Sequence, residues 1–346
     1  MRCQEKPRNL AILESILDRF KIESFRLFEP LRLVYGKPVL TIETGNPPSV
    51  FRILWPASKV GPEKYLDNLE QFKLEIAALN ELREHPHVVK ILSSSLGCDN
   101  SDGMPHLELE CLTGGDLSVR LAQVRASLSD KLYLFEKLLP LLDLLSEMNK
   151  RGIVHGDIKC ANICFDEHDT AKLIDFGAVD RVRHDSKRPS KKLFTILYVA
   201  PERAAASIQG GYLNDMNTDL YSLGIVFFKV LSGGRLPFEG ALDPDNFLRS
   251  RQTPNMNLLL DQHNNALEPF VPVLSKMLQF NPSERYRSPQ DAKIELEIAL
   301  ETCLMNLGKV DVSKRGGDNP KFSSCGSENG ASTQNHFPPL NFLCSP

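Results

Sequence analysis

Between Val154 and Glu202 three short motifs follow one another in a fixed order. They are His155-Gly156-Asp157-Ile158-Lys159-Cys160-Ala161-Asn162, then Asp175-Phe176-Gly177, then Ala200-Pro201-Glu202. Transfer of a phosphoryl group asks little covalent chemistry of a protein. It requires a carboxylate that orients a hydroxyl, oxygen ligands for Mg²⁺, and cations near the phosphates. Asp157 suits the first role, Asn162 and Asp175 the second, and Lys159 part of the third. A helix or turn cap is the bland alternative for Asp157, but it does not account for Lys159 and Asn162 at their spacings.

The run resembles the catalytic core of the protein-kinase superfamily, H-R-D-x-x-x-x-N, D-F-G and A-P-E. The resemblance covers residues 30–302. It implies an α+β, bilobal protein-kinase-like fold, with a small β-rich N-lobe carrying one main helix and a larger helical C-lobe. Lys159, two after Asp157, is similar to the serine/threonine-type pattern D-x-K-x-x-N. ATP and Mg²⁺ are therefore the expected cofactors, and a protein Ser/Thr hydroxyl the expected acceptor. Thr195, in Thr195-Ile196-Leu197-Tyr198-Val199-Ala200-Pro201-Glu202, would hydrogen-bond Asp157 and Lys159. Asp219 would tether the catalytic loop, and Glu202 would pair with Arg285. Glu75 resembles the glutamate of the family's small-lobe helix. Glu110-Cys111-Leu112-Thr113-Gly114-Gly115-Asp116 resembles the hinge, behind Leu109 as gatekeeper. Backbone groups of Glu110 and Leu112 would meet adenine, and Asp116 the ribose.

The chain departs from the pattern in three places. Gly156 replaces the arginine that in the family often binds an activation-loop phosphate, which implies that such a phosphate is not the switch here. No G-x-G-x-x-G is present: its place, residues 33–40, holds Gly36 and Pro38, so backbone amides that cover phosphates are largely lost. The V-A-I-K lysine has two candidates. The uninterrupted strand VFRILW favours Arg52 pairing with Glu75. Lys59 stays as the alternative, although Pro56 breaks the strand before it. A missing glycine loop, an amphipathic N-terminal stretch and H-G-D-I-K together resemble the rhoptry-type kinases. That branch implies secretion, whereas the N-terminus lacks the apolar core of a signal peptide and suggests a cytoplasmic protein. The alternative to an enzyme is a pseudokinase, a scaffold or allosteric binding module.

Periodicity supplies the organisation. Residues 8–22 have the spacing of an amphipathic helix, which makes residues 1–29 an N-terminal helical extension. Residues 31–55 alternate and predict three strands, LRLVY, VLTIE and VFRILW. A helix is expected over 63–84, strands at 88–92 and 107–110, and one long helix from Leu128 to Asn149. Further helices are expected at 219–232, 266–279 and 289–304. The N-lobe is thus 30–112 and the C-lobe 113–302. Residues 303–346 have the composition of a disordered tail.

A net charge of −3 argues against a general nucleic-acid or membrane-surface binder. No apolar run reaches the ~20 residues of a membrane span. Arg181, Arg183, Lys187, Arg188, Lys191 and Lys192 make the segment after Asp175-Phe176-Gly177 basic, the expected docking surface for an acidic partner. None of the eight cysteines forms a C-x-x-C pair.

Overall fold

The computed structural model describes residues 25–27, 39–44, 48–54, 61–96, 104–123, 127–182, 196–208, 215–238, 247–260 and 265–308. The chain divides into two units, Met1–Leu307 and Gly308–Pro346. All the elements below belong to the first.

Five strands form one sheet in the order β1-β2-β3-β5-β4. They are β1 (Phe25–Leu27), β2 (Val39–Thr44), β3 (Ser49–Leu54), β4 (Ile91–Ser95) and β5 (His106–Glu110). The pairs are antiparallel, and Arg52 of β3 sits opposite Thr41 of β2 and Leu107 of β5. Alternation on β3 buries Phe51 and Ile53 and leaves Arg52 on the other face. The helix expected over 63–84 is α1 (Pro62–Glu81), started by Pro62 in its first turn and burying Phe72, Glu75, Ile76, Ala78 and Leu79.

The sequence reading needs correction here. Strand β1 lies inside the stretch assigned to the N-terminal extension, pairing Phe25 with Thr44 and Leu27 with Ile42. It supplies β2 with an antiparallel partner that the alternation around residues 31–55 did not announce. The helix expected at 8–22, the strand expected at 31–35 and the site of the missing glycine loop before Val39 lie outside the described residues.

The helical part begins with α2 (Leu117–Gln123). The single helix expected from Leu128 to Asn149 is two helices, α3 (Leu128–Leu138) and α4 (Leu141–Lys150). Pro140 stands between them. It has no N–H for the helical ladder, and its ring crowds the preceding turn. Two short ladders follow, β6 (Ile153–Val154) with β9 (Asp180–Arg181), and β7 (Ile163–Phe165) with β8 (Ala171–Leu173). They clamp both ends of the 155–162 loop and both ends of the 174–179 segment. Helix α5 (Pro201–Ile208) precedes α6 (Asn217–Leu231), which is buried from Thr218 to Phe228 without a solvent face. A helix apolar all round belongs at the centre of a lobe. Phe227 of α6 meets Phe135 of α3 at 5.1 Å, and Phe270 meets the same ring at 5.0 Å. The remaining helices are α7 (Phe247–Ser250), α8 (Asn257–Leu260), α9 (Phe270–Met277) and α10 (Pro289–Leu307). Cys160 and Cys303 are buried in this core and pack as small apolar groups. Among the described residues no helix is long and apolar enough to cross a membrane.

Candidate active site

The loop between β6 and β7 is hung from α6. Asp219 Oδ2 accepts the His155 amide at 2.6 Å, and Oδ1 accepts the Gly156 amide at 2.9 Å. Burial pushes the Asp219 carboxyl up, while His155, the two amides and Arg203 oppose that rise. The His155 ring closes the loop from the other side. Its Nδ1 accepts the Asp157 amide at 3.2 Å, Nε2 lies 3.0 Å from the Ile174 carbonyl, and the ring packs edge-on against buried Phe176.

The expected polar groups converge inside this frame. Lys159 Nζ donates to Asp157 Oδ2 at 2.6 Å. Asn162 Nδ2 donates to the Asp157 carbonyl at 2.8 Å and to Oδ2 at 3.1 Å. The amide of the Asn162 side chain is thereby used, and its oxygen is the atom left to act as a ligand. The Ile174 amide donates to the Asn162 carbonyl at 2.9 Å, which sets Asp175 beside the loop. Asp175 adopts φ 59°, in the left-handed region. Burial raises its carboxyl, but Arg52 and His155 outweigh that and leave it below the usual range. A carboxylate and an amide oxygen are hard donors that suit Mg²⁺ when phosphates complete the shell.

Of the two candidate cations, Arg52 is the one among the described residues. Its Nη1 donates to Glu75 Oε1 at 2.5 Å and to Asp175 Oδ1 at 2.7 Å. Burial pushes the Glu75 carboxyl up to about 7 against the pull of Arg52. Lys59 and Thr195 lie outside the described residues, as do positions 183–192 of the basic segment. Arg181, the described member of that segment, pairs with Glu81 of α1, one contact being 3.0 Å, and donates to the Arg151 carbonyl.

At the hinge, Leu109 is buried between Val50 and Ile91 of the neighbouring strands. The Glu110 amide is taken by the Lys90 carbonyl at 3.0 Å. The Glu110 carboxylate is held at 2.8 and 3.0 Å by Lys172, a buried lysine that sequence reasoning missed. Leu112 is half-buried against the core. Asp116 caps α2, its Oδ1 accepting the Ser118 and Val119 amides at 2.8 and 3.1 Å. Arg120 donates to the Gly114 carbonyl at 2.9 Å and lies 3.7 Å over the Phe165 ring. A Cβ on Gly114 would meet Arg120 and two carbonyls at 2.8 Å, so this close approach needs glycine.

The other overlooked group is Arg203, which follows Ala200-Pro201-Glu202 and is buried. Gly156 has φ +79°, and a Cβ there would lie 2.6 and 2.8 Å from the two Arg203 Nη atoms and 3.0 Å from the Ala178 carbonyl. The departure Gly156 and the arginine 47 positions on occupy adjoining space, a pairing that local spacing does not reveal. Gly156→Arg, which would restore the family's motif, is therefore expected to destabilise the protein by ~1–3 kcal/mol through backbone strain and overpacking. Thermal unfolding checks this: an unchanged melting temperature means that Arg203 yields at no cost. The structural pairs expected elsewhere are present, Arg285 gripping Glu202 with two bonds of 2.7 Å.

The family model described as protein kinase domain matches residues 57–294, beginning just after the strand that carries Arg52. The chain is 32% identical over 238 residues to serine/threonine-protein kinase pkn2 of Myxococcus xanthus, covering 67% of this chain and 27% of that protein. It is 29% identical over 252 residues to the probable serine/threonine-protein kinase mkcD of Dictyostelium discoideum, covering 73% and 36%. It is 34% identical over 181 residues to mouse ribosomal protein S6 kinase alpha-4, covering 50% and 21%. The matched stretch is thus between a fifth and about a third of these relatives' own length.

Proposed function

The chain belongs to the protein-kinase family, and from that premise we propose that it transfers the γ-phosphoryl of MgATP to a serine or threonine hydroxyl of a protein. The observation that carries this reading is the cluster of Asp157, Lys159 and Asn162, tied together within 3.1 Å and fastened to Asp219. In it, Asp157 orients the acceptor hydroxyl and takes up its proton. Lys159, already beside Asp157, turns its ammonium to the transferred group. The Asn162 side-chain oxygen and the Asp175 carboxylate are the groups that would hold Mg²⁺. When bound, that ion neutralises charge developing on the phosphates. Arg52 stands in for the family's lysine, with Lys59 as the alternative. Glu110, Leu112 and Asp116 line the proposed place of the nucleoside.

One contact favours a second reading, a nucleotide-responsive scaffold. Arg52 Nη1 already satisfies Asp175 Oδ1, the carboxylate that a metal would need. The two readings differ in Mg²⁺ dependence. ATP at about 100 times its dissociation constant should stabilise the protein by ~2.7 kcal/mol. That stabilisation is expected to be larger with Mg²⁺ than without, and Asp175→Ala should abolish the difference. Equal thermal shifts with and without Mg²⁺ would favour the scaffold.

A further inference from the structure

The stretch just before Ala200-Pro201-Glu202 has its backbone held by side chains from later in the chain. Arg251, directly after α7, is fully buried. Its Nη2 donates to the carbonyls of Ile196 at 2.9 Å and Leu197 at 3.2 Å. Ser222 of α6 donates to the next carbonyl, Tyr198, at 2.8 Å. Lys229 reaches the Tyr198 hydroxyl at 2.9 Å. Three successive carbonyls are thus gripped by side chains rather than by a strand or helix.

Arg251 does this at a cost. Among the described residues its Nε and Nη1 reach no hydrogen-bond partner in good geometry, and burial lowers its pKa against the opposing pull of Tyr221. The Phe238 and Phe247 ring centroids lie 4.7 and 4.5 Å from the guanidinium carbon. Those rings offer cation–π contact but no acceptor. An apolar side chain of similar length would fill the same space without the desolvation penalty.

The location of the gripped segment gives that penalty a purpose. A small cavity beside Asp157 is walled by Tyr198, Val199 and Ala200. We propose that Arg251 is a positioning residue for the acceptor: by holding the Ile196 and Leu197 carbonyls it sets the wall against which the acceptor polypeptide lies. This rests on the kinase reading above, so its test has one arm that does not.

In the first arm, hydrogen exchange is followed at the amides of residues 196–199 in Arg251→Met. Loss of the two carbonyl bonds should reduce protection about tenfold. The melting temperature should stay at or above the wild-type value. In the second arm, KM for a generic protein acceptor should rise about tenfold while KM for ATP stays within about twofold. Arg251→Lys, which keeps a cation and one donor point, should recover part of both effects. It carries both measurements if Arg251→Met does not fold. Unchanged exchange at 196–199 overturns the proposal whether or not the protein transfers phosphate. So does an equal rise in both KM values. Absence of transfer by the wild type with exchange altered as expected tells against the kinase reading instead.

Discussion

Replacing Asp157 with alanine is expected to lower turnover by about 10²–10⁴-fold, the usual contribution of a positioned acid–base group. This corresponds to roughly 3–5 kcal/mol of transition-state stabilisation. The fold should survive the change. Lys159 is partly exposed, so loss of its carboxylate partner does not strand a buried charge. Asn162 keeps its bond to the Asp157 carbonyl, and the loop stays fastened through the His155 and Gly156 amides on Asp219. KM for ATP should therefore stay near the wild-type value, because Asp157 acts on the acceptor and not on the nucleotide. Steady-state transfer to a generic protein acceptor, with a melting curve on the same preparation, makes the measurement. Wild-type turnover in a folded Asp157→Ala protein would remove the proposed base.

The second large effect concerns Arg52. Arg52→Ala leaves Glu75 buried and Asp175 without its cation. Removing one partner of a buried pair in this way typically costs ~3–5 kcal/mol. The loss should depend on pH with a definite sign. Glu75 is already raised to about 7 by burial, and losing Arg52 raises it further. The folded variant then binds a proton that the unfolded chain has released. Its stability falls as pH rises from the unfolded carboxyl value through the raised folded one. The deficit against wild type should accordingly be larger at pH 8 than at pH 6, as denaturant unfolding at the two values would show. Arg52→Lys should lose much less. Both ion pairs use the single Nη1, so one ammonium can reproduce them, and the planar fork that separates arginine from lysine is not what this site exploits. Lys59→Ala is expected to leave stability near wild type. Reversal of that order between residues 52 and 59 would move the phosphate cation to Lys59.

Much of the site was legible before folding was considered. Asp157, Lys159 and Asn162 lie within six positions of one another, so their meeting is a local event that spacing alone predicts. The same holds for the helix over 62–81, whose buried face repeats every turn, and for the alternation of β3. The central helix was expected at 219–232 and spans Asn217–Leu231. Asp219 with the catalytic loop, and Glu202 with Arg285, came from resemblance rather than from periodicity. The helix break at Pro140 was written in the chain but masked by the leucines around it, since hydrophobic period does not register a missing N–H.

What the sequence by itself determined is therefore the set of local elements and the chemistry of the loop, because both depend on neighbours a few residues away. Beyond the Arg52–Glu75 and Glu202–Arg285 pairs already expected, only the tertiary structure decided which distant cation meets which partner. It added Asp175 to the contacts of Arg52, and brought Lys172 to Glu110, Arg203 to the space beside Gly156, and Arg251 to the carbonyls of 196 and 197. Each of these contacts joins positions dozens of residues apart. A long charged side chain meets its partner only where packing of the apolar core has already brought two backbones together. Nothing in the local pattern around an arginine records which backbone that will be.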